Sequence, residues 1–158
     1  MNDEILAECI RMSRNFEQIK GQTPFAAIVM LGGREVGRGF SSVVADMDPT
    51  SHAEVNAIRN AANTLGTHEL TDCVLYCSGF PCPLCLMAAR WAGITQIHYA
   101  AELEDSELGG FEDLEYYQGL EQGPGGLGIE LIGNSTMRPE ARDAIVEWKR
   151  RFEAGTWE

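Results

Sequence analysis

The spacing of apolar residues changes partway through the first part of the chain. After a polar, acidic start, apolar residues recur at helical spacing as far as Phe16, which predicts an amphipathic helix that ends near Gly21. Two apolar runs, 24–31 and 35–44, follow and are separated only by a few residues that include a Gly-Gly pair. Because glycine pairs favour tight hairpin turns, the runs predict two antiparallel strands.

Strand and helix patterns alternate through the middle of the chain. Turn and cap residues precede a helix predicted at 52–65, which a glycine can end. A buried strand at 72–78, a helix at 84–92 and a further strand at 95–101 come next. A helix that connects two strands predicts a parallel pair with a crossover.

The last third of the chain predicts less regular structure. A short helix is expected at 113–118, a glycine-rich hinge at 123–128, an edge strand at 129–133 and a closing amphipathic helix at 139–152. We expect one domain over 1–158. Its fold class is α/β, with three layers (α/β/α) around a mixed sheet of about five strands.

The acidic net charge of the chain disfavours a nucleic-acid partner. The chain has 158 residues, of which 24 are acidic and 12 basic, for a net charge of -12, and no Lys or Arg occurs from 91 to 137. Such a surface repels the phosphate backbone on which nucleic-acid affinity mostly depends. A polynucleotide partner is therefore not expected.

Cysteine usage and the N-terminal residues predict a cytoplasmic protein. Five cysteines are an odd number for a disulfide framework, and acidic groups stand where an export signal carries basic ones. No apolar run reaches the length of a membrane span. We expect free thiols, a reducing compartment and no membrane anchor.

A glutamate lies on the apolar stripe of the helix predicted at 52–65. Glu54 shares that stripe with Ala57 and Ile58, so its carboxylate is expected to be buried. A buried carboxylate is costly unless a partner or a function compensates for its lost hydration. His52 places an imidazole in the same first turn.

Cys82 and Cys85 supply the other half of a candidate metal site. Their spacing brings both sulfurs to one side of a helix start, where exposed N–H groups favour thiolate. One imidazole and two thiolates form a ligand set suited to Zn²⁺. A structural zinc takes four protein ligands, whereas a catalytic zinc keeps one position for water, so His52, Cys82 and Cys85 indicate a catalytic zinc.

Glu54 then has a chemical role, because a carboxylate beside the metal can take a proton from water and pass it to a leaving group. The sequences HAE at 52–54 and PCPLC at 81–85 match the HxE and PCxxC signature of zinc deaminases. In that signature the glutamate moves protons and is not a zinc ligand. Glu54 is therefore predicted to be catalytic.

Two non-catalytic interpretations of this site stay open. One is a four-ligand structural zinc with Cys77, Cys73 or His68 as the fourth ligand, although this leaves Glu54 without a role. The other is a catalytically silent protein in which zinc only stabilises the fold or an assembly.

The motifs resemble those of the cytidine deaminase-like superfamily, and within it the chain is most similar to the small bacterial guanine deaminases. The matching segments are TPFAAIV at 23–29, similar to the PFGA strand; DPTSHAEVNAIR at 48–59, similar to the zinc-histidine helix; CSGFPCPLC at 77–85, similar to the zinc-cysteine loop; and YAAELEDSELGGFEDLEYY at 99–117, similar to the AAE and GF(D/E)D segment. The last match is the most specific to the subfamily. The resemblance implies the cytidine deaminase-like fold, a Zn²⁺ cofactor and hydrolytic deamination.

The resemblance also implies residues that meet the substrate. Asp113 takes the place of the family's substrate carboxylate, which suits guanine because its ring N–H and amino group present two adjacent donors. Ser42 and Ala53 are further expected contacts. Aromatic side chains would hold the ring face, and the candidates are Phe25, Phe80, Trp91 and Trp157.

In that family the C-terminal segment can cross to a partner subunit. The glycine hinge at 123–128 permits such a crossing here, so residues 123–158 are a candidate segment for exchange between subunits. The apolar helix at 84–92 and the edge of the sheet favour a homodimer. Trp157 would then supply a C-terminal aromatic near a catalytic site.

Three departures from the family pattern concern the substrate. Ser42 stands where the family usually has an asparagine that hydrogen-bonds the base, Phe80 replaces the glutamate of EPC, and Ala26 replaces the glycine of PFGA. One hydroxyl cannot offer an acceptor and two donors as an amide does. The sequence predicts a zinc-dependent deaminase of a free purine base, guanine to xanthine plus ammonia. The alternative substrate is another aminated heterocycle or nucleoside: a pterin, a triazine, cytosine, cytidine or adenosine.

Overall fold

The helices and strands of the protein are taken from a computed structural model that describes residues 2–155. They are α1 (Asn2–Ser13), β1 (Thr23–Leu31), β2 (Arg34–Ser41), α2 (Val43–Asp46), α3 (Ala53–Leu65), β3 (Cys73–Gly79), α4 (Pro83–Trp91), β4 (Gln96–Ala101), α5 (Leu103–Leu108), α6 (Asp113–Glu121) and α7 (Arg138–Glu153). Short 3₁₀ turns follow α1 at Arg14–Glu17 and α6 at Pro124–Leu127. Within residues 2–155, every helix is too short or too polar to cross a membrane.

The strands form one mixed sheet in the order β2-β1-β3-β4. β1 is antiparallel to both β2 and β3, and β3 is parallel to β4, with α4 as the crossover between them. The β1–β2 turn contains Gly32 and Gly33, both with positive φ (55° and 82°), as a tight hairpin turn requires. The predicted hairpin and the predicted parallel pair are both confirmed.

Helices cover both faces of the sheet, so the predicted three-layer α/β/α class is confirmed. Alternation along β1 shows the division: Ala26 and Ile28 pack under α1, whereas Ala27 and Val29 lie in the larger core that faces α3 and α4. Side chains of opposite parity on a strand therefore reach different layers.

Two glycines of β2 let α3 lie directly on the sheet. A Cβ on Gly39 would stand 2.2 Å from the carbonyl oxygen of Ala53, and one on Gly37 would stand 2.4 Å from that of Ala57. The facing positions on α3 are alanines, and Ala53, Ala57 and Ala61 are buried. This close contact sets the position of the N-terminal end of α3, where the predicted site residues lie.

Two predicted strand segments are wrong. The sheet has four strands, because residues 129–133 form no strand and are exposed. Residues 43 and 44 do not extend β2: the chain turns after Ser41 into the short helix α2, held by a bond from Ala45 N to Gly21 O (3.2 Å). Tertiary hydrogen bonds override the strand preference of the two valines there.

The closing helix α7 exists as predicted, and its apolar stripe is exposed. Ile145 is 71% exposed, Trp148 52% and Phe152 60%, with the last two rings stacked at 5.1 Å between centroids. In residues 2–155, α7 has no substantial packing contact with the sheet or its helices.

Candidate active site

The first site residues lie at the start of α3. His52 has an extended backbone (φ -76°, ψ 154°) and occupies the N-cap of the helix. The preceding Ser51 is 2% exposed; its Oγ donates to Asp46 and accepts from the Asn56 amide. These bonds fix the direction in which α3 begins and therefore the positions of His52 and Glu54.

The second group lies at the start of α4. Cys82 is also extended (φ -67°, ψ 168°) and occupies the N-cap, and Pro83 follows at the first helical turn, where its missing N–H is not needed. Cys85 comes one turn later and is fully buried. Both sulfurs thus lie at a helix N-terminus, whose unpaired N–H groups favour thiolate.

The three predicted ligands form one cluster. Cys82 Sγ is 3.5 Å from His52 Nδ1 and 3.5 Å from Cys85 Sγ, and Cys85 Sγ is 3.6 Å from the same Nδ1. Tetrahedral zinc, with bonds of about 2.3 Å to sulfur and about 2.0 Å to nitrogen, places its ligand atoms roughly 3.6–3.8 Å apart. The cluster therefore fits Zn²⁺.

Within residues 2–155 the cluster holds three ligands. Cys73 and Cys77, two of the alternative fourth ligands, belong to the buried core that faces α3 and α4. His68, the other alternative, is exposed in the turn after α3. Three protein ligands are the arrangement of catalytic rather than structural zinc sites.

The contacts within the cluster favour the negatively charged thiolate of Cys82. Cys82 and Cys85 share a hydrogen bond between their sulfurs, and this bond, together with His52, lowers the pKa of Cys82. Contact with Cys82 in turn raises the pKa of His52. A divalent cation would offset this charge and favour thiolate on both sulfurs.

Glu54 stands directly beside the ligands. Its side chain is buried, with 5% exposure, and its Oε2 lies 3.2 Å from Cys85 Sγ. Burial raises the pKa of this carboxyl group above its usual value of 4.5. A carboxyl group whose pKa is raised towards neutrality is suited to accept and release a proton during one reaction.

A cavity of about 240 Å³ lies against the cluster. Its lining includes Glu54 and, from the predicted substrate contacts, Phe25, Ala53 and Asp113. Asp113 is the first residue of α6 and is partly buried, which raises the pKa of its carboxyl group. Phe80 also lines the cavity.

The remaining predicted contacts lie elsewhere. Ser42 faces a separate depression beside Arg38 and Asn56, with its hydroxyl directed at the Phe40 carbonyl. Trp91, at the end of α4, is 84% exposed. Trp157 lies outside the described residues.

Sequence reasoning missed several residues that line the cavity. Thr23 and Ser41 are cross-strand partners on β1 and β2, and the Thr23 hydroxyl donates to Ser41 Oγ (2.5 Å). Phe111 meets Phe25 edge to face, with 4.8 Å between the ring centroids. Strand parity could have identified Ser41, because it follows Gly37 and Gly39 at intervals of two on the face that meets α3.

The departure at Ala26 lies away from the cavity. Ala26 is 1% exposed and packs in the core under α1, on the opposite face of the sheet. Its N–H donates to Ser78 Oγ at 3.0 Å. The methyl group therefore takes no space from a substrate.

A second cavity of about 330 Å³ adjoins the first. The two share His52, Cys82 and Asp113, and the second is bounded on its far side by Leu120 and Leu127. The site thus extends past Asp113 along an apolar surface.

Comparison with known proteins assigns the family. The model of the cytidine and deoxycytidylate deaminase zinc-binding region matches residues 1–101, which include all three ligands and Glu54. The chain belongs to this family. The resemblance noted from the motifs is thereby confirmed. The family binds zinc, which is also the metal that the His52, Cys82 and Cys85 cluster fits.

Individual relatives agree with this assignment. The chain is 42% identical over 99 residues to the guanine deaminase of Bacillus subtilis (strain 168), a match that covers 63% of this chain and 64% of that protein. The crystal structure of guanine deaminase from Bacillus subtilis superimposes with a TM-score of 0.84 at 32% identity, over 92% of this chain and 93% of that one. Guanine deaminase from Nitrosomonas europaea gives a TM-score of 0.65 at 29% identity, over 69% and 63% of the two chains.

Proposed function

We propose that this family member is a zinc-dependent hydrolytic deaminase that converts guanine and water to xanthine and ammonia. The observation that carries the proposal is the buried Glu54 carboxyl group, 3.2 Å from a ligand of a three-residue metal cluster and open to a cavity. Guanine deaminases among the relatives support this substrate.

Each residue has a defined part in the proposed reaction. His52, Cys82 and Cys85 hold the zinc, which when bound supplies a Lewis acid that lowers the pKa of water. Glu54 takes one proton from the attacking water and gives it to the ring nitrogen as the new carbon–oxygen bond forms. It then takes the second proton from the resulting hydroxyl group and gives it to the amine, which leaves as ammonia when the carbon–nitrogen bond breaks and the carbonyl forms. Its burial keeps bulk water from competing for these transfers.

Recognition of the base combines a carboxylate with an aromatic wall. Asp113 accepts from the adjacent ring N–H and amino group of guanine. Phe25 and Phe111 present ring surfaces to the same cavity. Thr23 and Ser41 add polar contacts where the resemblance assigned one to Ser42.

The hydroxyl pair also favours a second candidate, deamination of another aminated heterocycle. One hydrogen is used between Thr23 and Ser41, so the pair presents one donor and one acceptor to the cavity. If both hydroxyls rotate, Ser41 donates to Thr23 instead, and the donor and the acceptor that face the cavity exchange places at little cost in energy. The hydroxyl pair could therefore bind a ring with either arrangement of donor and acceptor: a pterin, a triazine, cytosine or a nucleoside.

We propose further that the protein is a cytoplasmic homodimer in which the segment from 123 onward reaches the partner subunit. The exposed apolar stripe of α7 supports this, since a second subunit would cover exposed side chains such as Ile145 and Phe152. Trp157 would then approach the partner's site. The reduced state of all five cysteines fits the proposed location.

A substrate panel tests the proposed activity. Zinc-loaded protein is incubated with guanine, other bases, pterins and nucleosides, and ammonia release and ultraviolet absorbance are followed. Preference for guanine supports the proposal, and preference for another ring favours the second candidate. Inactivity towards the whole panel with zinc bound would favour a silent, zinc-stabilised protein.

A further inference from the structure

The helix that carries Asp113 is weakly attached to the rest of the site. α6 packs mainly against the Pro124–Leu127 turn and α5, with fewer contacts to α4. Among its described residues only Gly119 is buried. The position of Asp113 relative to the metal ligands therefore depends on a small number of specific contacts.

One of these contacts reaches the loop of the metal ligands. The Tyr117 hydroxyl donates a 2.6 Å hydrogen bond to the carbonyl oxygen of Pro81, the residue immediately before Cys82. The Tyr117 ring also meets Phe80 edge to face, with 5.8 Å between centroids. Among the hydrogen bonds that α6 side chains make within residues 2–155, this one joins the helix to the ligand loop.

Helix geometry connects this bond to Asp113. Residues four apart lie above one another on the same side of a helix, so the bond from Tyr117 to the ligand loop holds the side of α6 that carries Asp113. We propose that Tyr117 is a positioning residue that fixes the Asp113 carboxylate relative to the zinc ligands by anchoring α6 to the Pro81 carbonyl. The inference rests on the proposed function, since it takes Asp113 as the substrate carboxylate.

A second bond to α6 does not replace this anchor. The Leu114 N–H donates to Glu107 Oε1 at 3.0 Å, but Glu107 belongs to α5, within the same acidic segment. That bond ties α6 to its neighbour in sequence. The Tyr117 bond instead ties α6 directly to the loop that carries Cys82.

Substitution Tyr117→Phe isolates the anchor, because the ring contact with Phe80 remains and one hydroxyl is lost. Tyr99→Phe is the matched control: Tyr99 meets the same Phe80 ring at 4.9 Å from β4, is exposed, and has its hydroxyl beside Glu102. Both variants are loaded with zinc and compared with the wild type in KM and kcat for guanine, zinc content and hydrogen exchange of residues 113–121.

For Tyr117→Phe we expect KM to rise about tenfold, the effect of losing one buried hydrogen bond, with kcat within about twofold of wild type. Zinc content stays unchanged and exchange of α6 accelerates, whereas Tyr99→Phe behaves like the wild type. Unchanged KM and unchanged exchange overturn the inference, as does a parallel loss of kcat and zinc, which would indicate a purely structural role for the bond. If the zinc-loaded wild type does not turn over guanine, the proposed function fails, and the exchange of α6 still decides whether Tyr117 anchors the helix.

Discussion

The contact between α3 and the glycines of β2 makes a quantitative prediction for Gly39→Ala. The added Cβ would lie 2.2 Å from Ala53 O and 2.4 Å from Ala57 N, whereas ordinary contacts begin near 3.4 Å. The start of α3 must therefore retreat by roughly 1 Å, since both obstacles are backbone atoms. His52 and Glu54 move with it, while Cys82 and Cys85 stay with α4.

Two consequences follow in stability and activity. Overpacking lowers the free energy of unfolding by about 1–3 kcal/mol. Because Gly39→Ala creates two clashes with backbone atoms, we expect a loss of about 3 kcal/mol. For a chain of this size that lowers Tm by roughly 6–12 °C. A displacement of about 1 Å at the site lowers kcat/KM by about 100-fold.

Gly37→Ala separates the local effect from the global one. Its Cβ would meet Ala57 O at 2.4 Å and Ala61 N at 2.5 Å, so its overlap with backbone is similar but lies one turn further from His52. Because Gly39→Ala moves His52, it should also weaken zinc binding. We expect Gly37→Ala to show a similar fall in Tm but a smaller loss of zinc affinity than Gly39→Ala. Gly133→Ala, where the added Cβ meets nothing within 4 Å, is the neutral control.

Thermal unfolding, zinc titration against a chelator and steady-state kinetics on the three variants measure these effects. Wild-type Tm and zinc affinity in Gly39→Ala would refute the claim that close packing on β2 positions the site. Equal zinc loss in Gly37→Ala and Gly39→Ala would show that the damage is general destabilisation and not displacement of His52.

Three further predictions concern the chemistry of the site. Glu54→Gln should keep zinc and lose about 10²–10⁴-fold in kcat, because the proton carrier is gone while the ligands remain; ordinary turnover by the purified variant contradicts the mechanism. Ser41→Ala should raise KM for the preferred base about fivefold through loss of one hydrogen bond, whereas Ser42→Ala should not; the reverse result in steady-state kinetics would return the contact to Ser42. Zinc affinity should fall as pH decreases through the raised pKa of His52, because zinc requires the neutral imidazole; chelator competition across pH 5.5 to 8 measures this, and a flat profile contradicts it.

Most of the fold could be predicted because its boundaries are marked by residues with strong local preferences. α3 ends at Gly66, whose φ of 67° suits the left-handed cap, and α4 begins at Pro83. The metal cluster was predictable for the same reason, since its ligands stand in or next to the first turns of these two helices. Local sequence specifies a helix start closely enough to bring such side chains to one end of the sheet.

The fifth strand could not be excluded from sequence, because a strand needs a partner as well as a pattern. Residues 129–133 alternate acceptably, yet the described chain offers them no pairing with the exposed edges of β2 or β4. Edge pairing is decided by where the connecting segments lead, and apolar periodicity carries no information about that path. Asp113 was singled out by the resemblance and not by the acidic run around it, because the partial burial of its carboxyl group depends on the tertiary packing of α6.

The polar contacts of the cavity were within reach of sequence reasoning that extended the strand parity to its ends. On β2 the buried glycines that meet α3 are odd-numbered, and Ser41 continues that series. On β1 Ala27 and Val29 face the same core, and Thr23, beyond a register shift between Thr23 and Ala26, is the cross-strand partner of Ser41. Both hydroxyls therefore had to emerge beside the first turn of α3, where Glu54 stands. Ser42 has the opposite parity and lies just beyond the end of β2, and its hydroxyl is directed at the Phe40 carbonyl in a separate depression. The prediction for Ser41→Ala against Ser42→Ala is for this reason a test of the strand register as much as of recognition.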